Sequence, residues 1–82
     1  MNINYDNVAD AIYIKFGSGR VDESNEIKDG IILDYLEGGE ILGIEIIGFS
    51  KRKIDLNELI KLKIDEIISR VVSGWLFTQS IS

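Results

Sequence analysis

The first half of the chain alternates between apolar and polar residues with the period of two that is typical of β-strands. From Ala11 to Phe16, every second residue is isoleucine or phenylalanine. A shorter candidate strand, Ile3 to Tyr5, lies on the other side of residues 6–10, which begin with Asp6-Asn7. Asp and Asn favour turns because their side chains bond nearby backbone groups. This part of the chain therefore predicts a β-hairpin.

A second hairpin is predicted from Gly30-Tyr35 and Glu40-Ile47, both rich in isoleucine, which favours strands. Between them lies Glu37-Gly38-Gly39, where glycine can take a positive φ without strain. The polar segment from Gly17 to Asn25 is predicted to be a loop that joins the two hairpins. The pattern thus predicts an antiparallel sheet of about four strands.

Residues 54–73 are predicted to form one helix after the sheet. Asp55 followed by Glu58 resembles a capping box, in which acidic side chains meet the unpaired N–H groups of the first turn. Apolar residues recur with the helical period and define a stripe that would cover the sheet. The stripe consists of Leu56, Ile60, Ile64, Ile67, Ile68 and Val71. Leu59 and Leu62 fall off the stripe, which makes them candidates for contact with a partner.

The predicted strands carry more apolar surface than one helix can cover. Alternation is incomplete in Glu40-Ile47, so apolar residues are expected on both faces of the sheet. Trp75 and Phe77 lie in an aromatic tail, residues 74–82, and their joint exposure would favour association. We therefore expect a second polypeptide, most simply another copy of the chain, to cover part of this surface.

The 82 residues fit a single domain. We predict an α+β fold in which residues 1–50 form the antiparallel sheet, residues 54–73 the helix and residues 74–82 the tail. A domain of this size buries only about 60–65% of the surface of its unfolded chain. A partner that covers apolar surface would therefore add substantially to its stability.

The composition limits the chemistry that the chain can perform. It contains neither cysteine nor histidine, which excludes disulfides, zinc–thiolate sites and nucleophilic schemes based on histidine. A metal ion would need oxygen ligands, and we expect no cofactor. The net charge of −5 disfavours binding to nucleic acid, and Lys51-Arg52-Lys53 is too small a basic patch to change that. We interpret this basic run as a solvated hinge between sheet and helix.

The chain shows no sequence signal for export or membrane insertion. Met1-Asn2-Ile3-Asn4 lacks the basic and apolar regions of a signal peptide. The apolar runs are far shorter than the roughly 20 residues that span a bilayer. We therefore expect a cytoplasmic protein that does not bind membranes.

Two motifs resemble a known family. Residues 5–14 read Tyr-Asp-x-x-x-Asp-Ala-apolar-Tyr-apolar, and Gly30-Tyr35 is followed by Gly43-Ile44-Glu45-Ile46 and then by Ser50. Together they resemble domain of unknown function 2283, a family of small prokaryotic and phage proteins, whereas the tail after Val72 departs from its pattern. The resemblance implies the sheet-plus-helix fold and no established activity. Some relatives look like the smaller partner in toxin–antitoxin-type gene pairs, which implies a protein-binding role.

The polar residues inside these motifs form a candidate site. They are Asp6, Asp10, Tyr13, Asp34 and Glu45. If their carboxylates meet at one end of the sheet, they could hold Mg²⁺ or Ca²⁺, or act as acid and base. If they are structural, the first two accept N–H bonds in the hairpin turn, and the last two pair with Lys15 or Arg20 across the sheet. We favour the structural interpretation because no nucleophile with an adjacent base can be named.

Two hypotheses for function follow. The first is a non-enzymatic protein–protein interaction module that forms a homodimer or binds a small protein, for example as the antitoxin-like member of a toxin–antitoxin pair. Its possible interface residues are Leu59, Leu62, Trp75 and Phe77. The alternative is a carboxylate-based hydrolase or divalent-cation-binding protein that uses the acidic residues of the sheet.

Overall fold

The computed structural model describes residues 1–73, in which five strands form one antiparallel sheet. The strands are β1 (Asn2–Asp6), β2 (Ala11–Lys15), β3 (Glu23–Lys28), β4 (Ile31–Tyr35) and β5 (Ile41–Ile47). Their order across the sheet is β1-β2-β5-β4-β3. The helices follow the sheet in the chain. The predicted α+β class is therefore confirmed.

Both predicted hairpins are present, but the prediction of four strands was wrong. β1 pairs with β2 and β4 pairs with β5, as expected. The additional strand, β3, begins inside the segment that was predicted to be a loop, and all of its residues are exposed. Because β3 has no alternating apolar side chains, its sequence does not resemble a strand. Its pairing with β4 across the turn at Gly30, which has a φ of 77°, is what holds it in the sheet.

The pairing of β2 with β5 joins the two hairpins and builds the core. Ile12 lies opposite Ile46, and Ile14 lies opposite Ile44. On the other side of β5, Ile46 also faces Ile31. All five side chains are at most 1% exposed. Full burial of an isoleucine contributes about 1.5–3 kcal/mol, so this small cluster supplies much of the stability of the fold.

Two helices pack on the core face of the sheet where a single helix was predicted. A 3₁₀ turn, Phe49–Lys51, leads to α1 (Leu56–Leu59) and then α2 (Ile64–Ser73). Asp55 caps α1 by accepting the N–H of Asn57 at 3.0 Å, which confirms the predicted helix start. The helix ends after one turn, and Glu66 accepts the N–H of Lys63 at 3.0 Å. A glutamate in the third position of a helix typically makes this bond, so the chain starts a second helix there.

The break between the helices changes which apolar side chains reach the sheet. Leu59, predicted to lie off the buried stripe, is fully buried, so that prediction was wrong and this side chain is not available to a partner. Ile60 and Ile64, predicted to lie on the stripe, are instead 43% and 41% exposed. Leu62 is partly buried against the core. The other predicted stripe residues are buried or partly buried there, namely Leu56, Ile67, Ile68 and Val71.

The basic run between sheet and helices is only partly solvated. Arg52 donates from Nε to the carbonyl of Ile47 at 2.8 Å and from Nη2 to the carbonyl of Asp29 at 2.9 Å. Its guanidinium therefore ties the end of β5 to the β3–β4 turn. Lys51 and Lys53 are exposed, as expected for a hinge.

Two further predictions concern the aromatic tail and the absence of membrane-spanning segments. Trp75 and Phe77 lie outside the described residues. Within residues 1–73, no helix is long and apolar enough to cross a membrane.

Replacing Leu59 and Ile60 separately by alanine tests the helix break. We expect Leu59→Ala to lower the free energy of unfolding by about 2–5 kcal/mol, because it leaves a cavity in the core. Ile60→Ala is the matched control and should cost about 1 kcal/mol or less, since much of its side chain is already in water. Urea denaturation of both variants measures the difference. A larger loss for Ile60→Ala would indicate one continuous helix with its stripe against the sheet.

Candidate functional site

The candidate residues separate into two groups. Asp6 and Asp10 lie at the β1–β2 turn, whereas Tyr13, Asp34 and Glu45 lie on the sheet face opposite the core. Tyr13, Asp34 and Glu45 share a face because alternate residues of paired strands point to the same side, whereas Asp6 and Asp10 are set apart by their position at the turn. The described residues contain no group of three or more acidic side chains that could hold a metal ion.

We call the sheet surface opposite the core the open face. Cross-strand register places on it Asn2, Asn4, Asp6, Ala11, Tyr13, Lys15, Ser24, Glu26, Ile32, Asp34, Gly43, Glu45 and Ile47. Most of these residues are polar, so the expectation of a broad apolar second face was wrong. Its main apolar residues among those described are Ile32, which is partly buried, and Ile47, which is 41% exposed. The isoleucines of the strands are concentrated on the core face instead.

Asp10 links the first turn to the chain that follows β5. Its carboxylate accepts the Tyr5 hydroxyl at 2.8 Å, the Ser50 hydroxyl at 2.8 Å and the Ser50 N–H at 3.1 Å. Its carbonyl accepts the N–H groups of Gly48 at 2.8 Å and Phe49 at 3.0 Å. Asp10 has a φ of 52°, which orients its carboxylate and its carbonyl for these bonds. Aspartate tolerates this left-handed conformation better than most residues. Asp10 therefore joins two loops, a different role from the predicted cap within its own turn.

Asp6 has the predicted capping role. One of its carboxylate oxygens accepts the N–H of Val8 at 3.0 Å and the N–H of Ala9 at 3.2 Å. These bonds satisfy backbone groups that the four-residue turn leaves outside the strand ladder. The hydrogen bonds predicted for Asp6 in this turn are therefore present.

The hydrogen bonds of Asp10 also shift its pKa. Donation from the Ser50 hydroxyl, followed by donation from Tyr5, holds the pKa of Asp10 below its usual value of 3.8. The same bond raises the pKa of Tyr5, because the hydroxyl would lose its acceptor partner on ionisation. Asp10 is consequently an anion near neutral pH and a weak base.

Asp34 is held on the open face by hydroxyl groups from two other strands. Tyr13 on β2 donates to one carboxylate oxygen at 2.9 Å, and Ser24 on β3 donates to the other at 2.6 Å. These bonds replace the predicted pairing of Asp34 with Lys15 or Arg20. Together they connect three strands across the sheet.

Tyr13 reaches Asp34 only because glycine lies beneath it on β5. A Cβ on Gly43 would lie 2.5 Å from the Tyr13 hydroxyl oxygen and 2.7 Å from the Ile14 carbonyl oxygen. Both contacts are too short for real atoms, so any larger residue would displace the tyrosine or the neighbouring strand. Glycine inside a strand often marks such a close approach. Gly43 is therefore part of the site, although it was not among the candidate residues.

The environment of Tyr13 suppresses its ionisation. Burial, then the hydrogen bond to Asp34 and the charges of Asp34 and Glu45, raise the pKa of Tyr13 to about 12. Glu45 lies directly opposite Tyr13 on β5, which explains its contribution. The phenol is thus neutral near pH 7 and acts as a hydrogen-bond donor.

Several residues of the site were missed as candidates, and most had a detectable signal. Tyr5, Gly43 and Ser50 all belong to the motifs that carried the family resemblance. Ser24 had no such signal, because it lies in the segment that was predicted to be a loop. Its contact with Asp34 depends on β3 being a strand.

The fold and the bonded motif residues define a small α+β protein built on a five-stranded antiparallel sheet. A family model described as a protein of unknown function, DUF2283, matches residues 2–50, and the chain belongs to this family. A search of curated proteins and a search of solved structures each found no match. The matched segment starts with β1 and ends at Ser50, so it contains both groups of hydrogen bonds described above.

Substitution of Gly43 tests the close approach of Tyr13. We expect Gly43→Ala to lower the free energy of unfolding by about 1–3 kcal/mol, because the added methyl group overpacks a full site. Gly17→Ala is the matched control, since a Cβ there meets nothing within 4 Å. Thermal or urea denaturation measures both. Equal stability of the two variants would contradict the packing of Tyr13 over Gly43.

Removal of the charge on Asp10 tests its linkage to pH. Folding lowers the pKa of Asp10, so its stabilising effect is complete above the ordinary value of 3.8 and is lost as the pH falls through the lower folded value. We expect Asp10→Asn to be less stable than the wild type at pH 7, with a gap that narrows below pH values of about 4. Urea denaturation from neutral to acidic pH measures this gap.

Ser50→Ala provides an internal check of that linkage. It removes the donor that contributes most to the shift, so its stability should depend less on acid than that of the wild type. A gap between wild type and Asp10→Asn that stays constant with pH would show that Asp10 acts through its shape and not through its charge.

Proposed function

We propose that this chain is a non-enzymatic protein–protein interaction module that self-associates. The observation that supports this most is the use of the polar motif residues. Asp10, Tyr13 and Asp34 each join separate segments of the chain through hydrogen bonds between side chains. Residues engaged in this way stabilise the shape of a sheet, as expected of a binding scaffold.

The acid–base properties of these residues point the same way. A general base or nucleophile works best with a pKa near the operating pH. The pKa of Asp10 is lowered and that of Tyr13 is raised to about 12, so both move away from neutrality. The shifts favour the protonation states that make the best hydrogen bonds. They therefore support a structural role for these groups.

Two cavities in the described part of the chain lie away from the motif residues. One cavity of about 200 Å³ is lined by Glu58, Lys61, Leu62 and Arg70. Another of about 250 Å³ is lined by Arg20, Val21, Asp22 and Glu37. Enzymes usually place their perturbed titratable groups inside such a cavity. The separation supports binding over catalysis, and no observation favours the alternative of a hydrolase or cation-binding protein.

Self-association is supported by the surface that the helices leave uncovered. α1 and α2 pack on the core face, and within residues 1–73 β1 and β3 are the outer strands of the sheet, each paired with a strand on one side. Edge strands offer unpaired backbone N–H and C=O groups to another chain. Pairing of such an edge provides affinity through the main chain without a large apolar patch.

A heterologous partner would need a complementary charge. The chain has a net charge of −5, and the open face carries Glu26, Asp34 and Glu45. In an antitoxin-like role, which the family resemblance implies, the partner would be a basic small protein attracted by this face. Co-purification with the product of a neighbouring gene would identify such a partner.

Light scattering of the full-length chain tests self-association. We expect a mass of twice the 9.2 kDa of one chain, falling towards the single-chain mass on dilution. A Trp75→Ala/Phe77→Ala variant, measured in parallel, asks whether the aromatic tail is needed for this state. A single-chain mass at every concentration of the wild type would reject self-association.

A further inference from the structure

The two edges of the sheet differ in how well they are protected against pairing. β3 carries a register shift between Glu26 and Lys28, and half of its residues are charged. Bulges and charges of this kind discourage a second chain from pairing with an edge. The Lys28 ammonium group also donates to the carbonyl of Val72 at 2.6 Å, which ties this edge to α2.

β1 lacks these devices. It pairs with β2 in regular register over its full length, with no shift. Its only charged side chain is Asp6, at its last position, and every residue except Ile3 is exposed. β1 is therefore the edge of the described sheet that is better suited to accept another strand.

We propose that β1 pairs antiparallel with β1 of a second copy, about a two-fold axis at Asn4. This register brings all five residues of the strand into contact with the second copy. It sets Ile3 opposite Tyr5 of the second copy, Asn2 opposite Asp6, and Asn4 opposite itself. Residues directly opposite each other in an antiparallel pair point to the same face of the sheet. A two-fold axis perpendicular to the sheet therefore requires a register centred on one residue, because a register centred between two residues would place a core-face residue opposite an open-face residue. The inference rests on the proposed self-association and names its interface.

Side chains in this register complement one another on the core face. Ile3 already packs against the core, and Tyr5 is 46% exposed although its ring lies 6.1 Å from that of Phe49. Pairing places each exposed Tyr5 ring beside Ile3 of the other copy. Aromatic side chains opposite β-branched ones are among the favourable cross-strand pairs. The hydrophobic cores of the two copies would thus become continuous at the β1–β1 interface.

On the open face, the side chains at the proposed β1–β1 interface are polar and also complement one another. The amide of Asn2 can donate to the Asp6 carboxylate of the second copy, whose Oδ1 is used by Val8 and Ala9. Asn4 meets its own copy, and an amide pair can both donate and accept. The two sheets, each of five strands, would form one sheet of ten with all helices on the same side. The two open faces would then make a single acidic surface.

Charge substitution at Asn4 tests this axis, because it places like charges directly opposite each other. We expect Asn4→Lys and Asn4→Glu each to raise the dimer dissociation constant by about fivefold or more. A mixture of the two variants should regain the dimer, since Lys then faces Glu. Asn25→Lys is the matched control on β3 and should leave the dissociation constant unchanged. Light scattering measures assembly, and far-UV circular dichroism verifies that each variant folds.

The outcomes separate this inference from the function on which it rests. A wild-type chain that stays monomeric overturns both. A wild-type dimer that persists in folded Asn4→Lys, or that is lost only in Asn25→Lys, keeps self-association and overturns the β1 interface. Loss of the dimer in both Asn4 variants without recovery in the mixture overturns the two-fold axis at Asn4.

Discussion

The structure depends on the antiparallel pairing of β2 with β5. Each of these strands belongs to a different hairpin, and only their union places Ile12 and Ile14 opposite Ile46 and Ile44. Isolated two-stranded hairpins are marginally stable in water, so the pairing of β2 with β5 is what makes the sheet a folding unit. Since the contacts join residues far apart in the chain, they form only after the entropy of closing a long loop has been overcome.

The polar motif residues stabilise the pairing of β2 with β5 at one end and from the open face. Asp10 and Ser50 bond the β1–β2 turn to the chain that leaves β5, close to where this pairing ends. Tyr13 crosses β5 above Gly43 and reaches Asp34 on β4. The family motif can therefore be understood as the set of residues that fixes the register of the central strands. A one-residue slip would turn the isoleucines towards water, which explains why such a register needs several independent contacts.

The described sheet has two edge strands and one face on which α1 and α2 do not pack. Within residues 1–73, the helices add Leu59, Ile67 and Val71 to the core face and leave the other face uncovered. β3 is protected by charges and a register shift, whereas β1 is regular and nearly uncharged. The proposed self-association uses the regular edge β1, and the proposed binding of another protein uses the polar, acidic open face. Both proposed roles would use the sheet as a rigid platform.

The sequence by itself determined the strands with alternating apolar and polar residues and the hairpins that join strands adjacent in the chain. It also determined the helix cap at Asp55 and the motifs that are typical of the family. These are local properties, set by side-chain period and by turn and capping preferences. Tertiary structure decided that exposed β3 is a strand, that the helix breaks so that Leu59 is buried in place of Ile60, and that the motif residues form two groups. Each of these outcomes depends on tertiary contacts, namely the place of β4 in the sheet, the core face or Ser50, and the local apolar pattern does not encode such contacts.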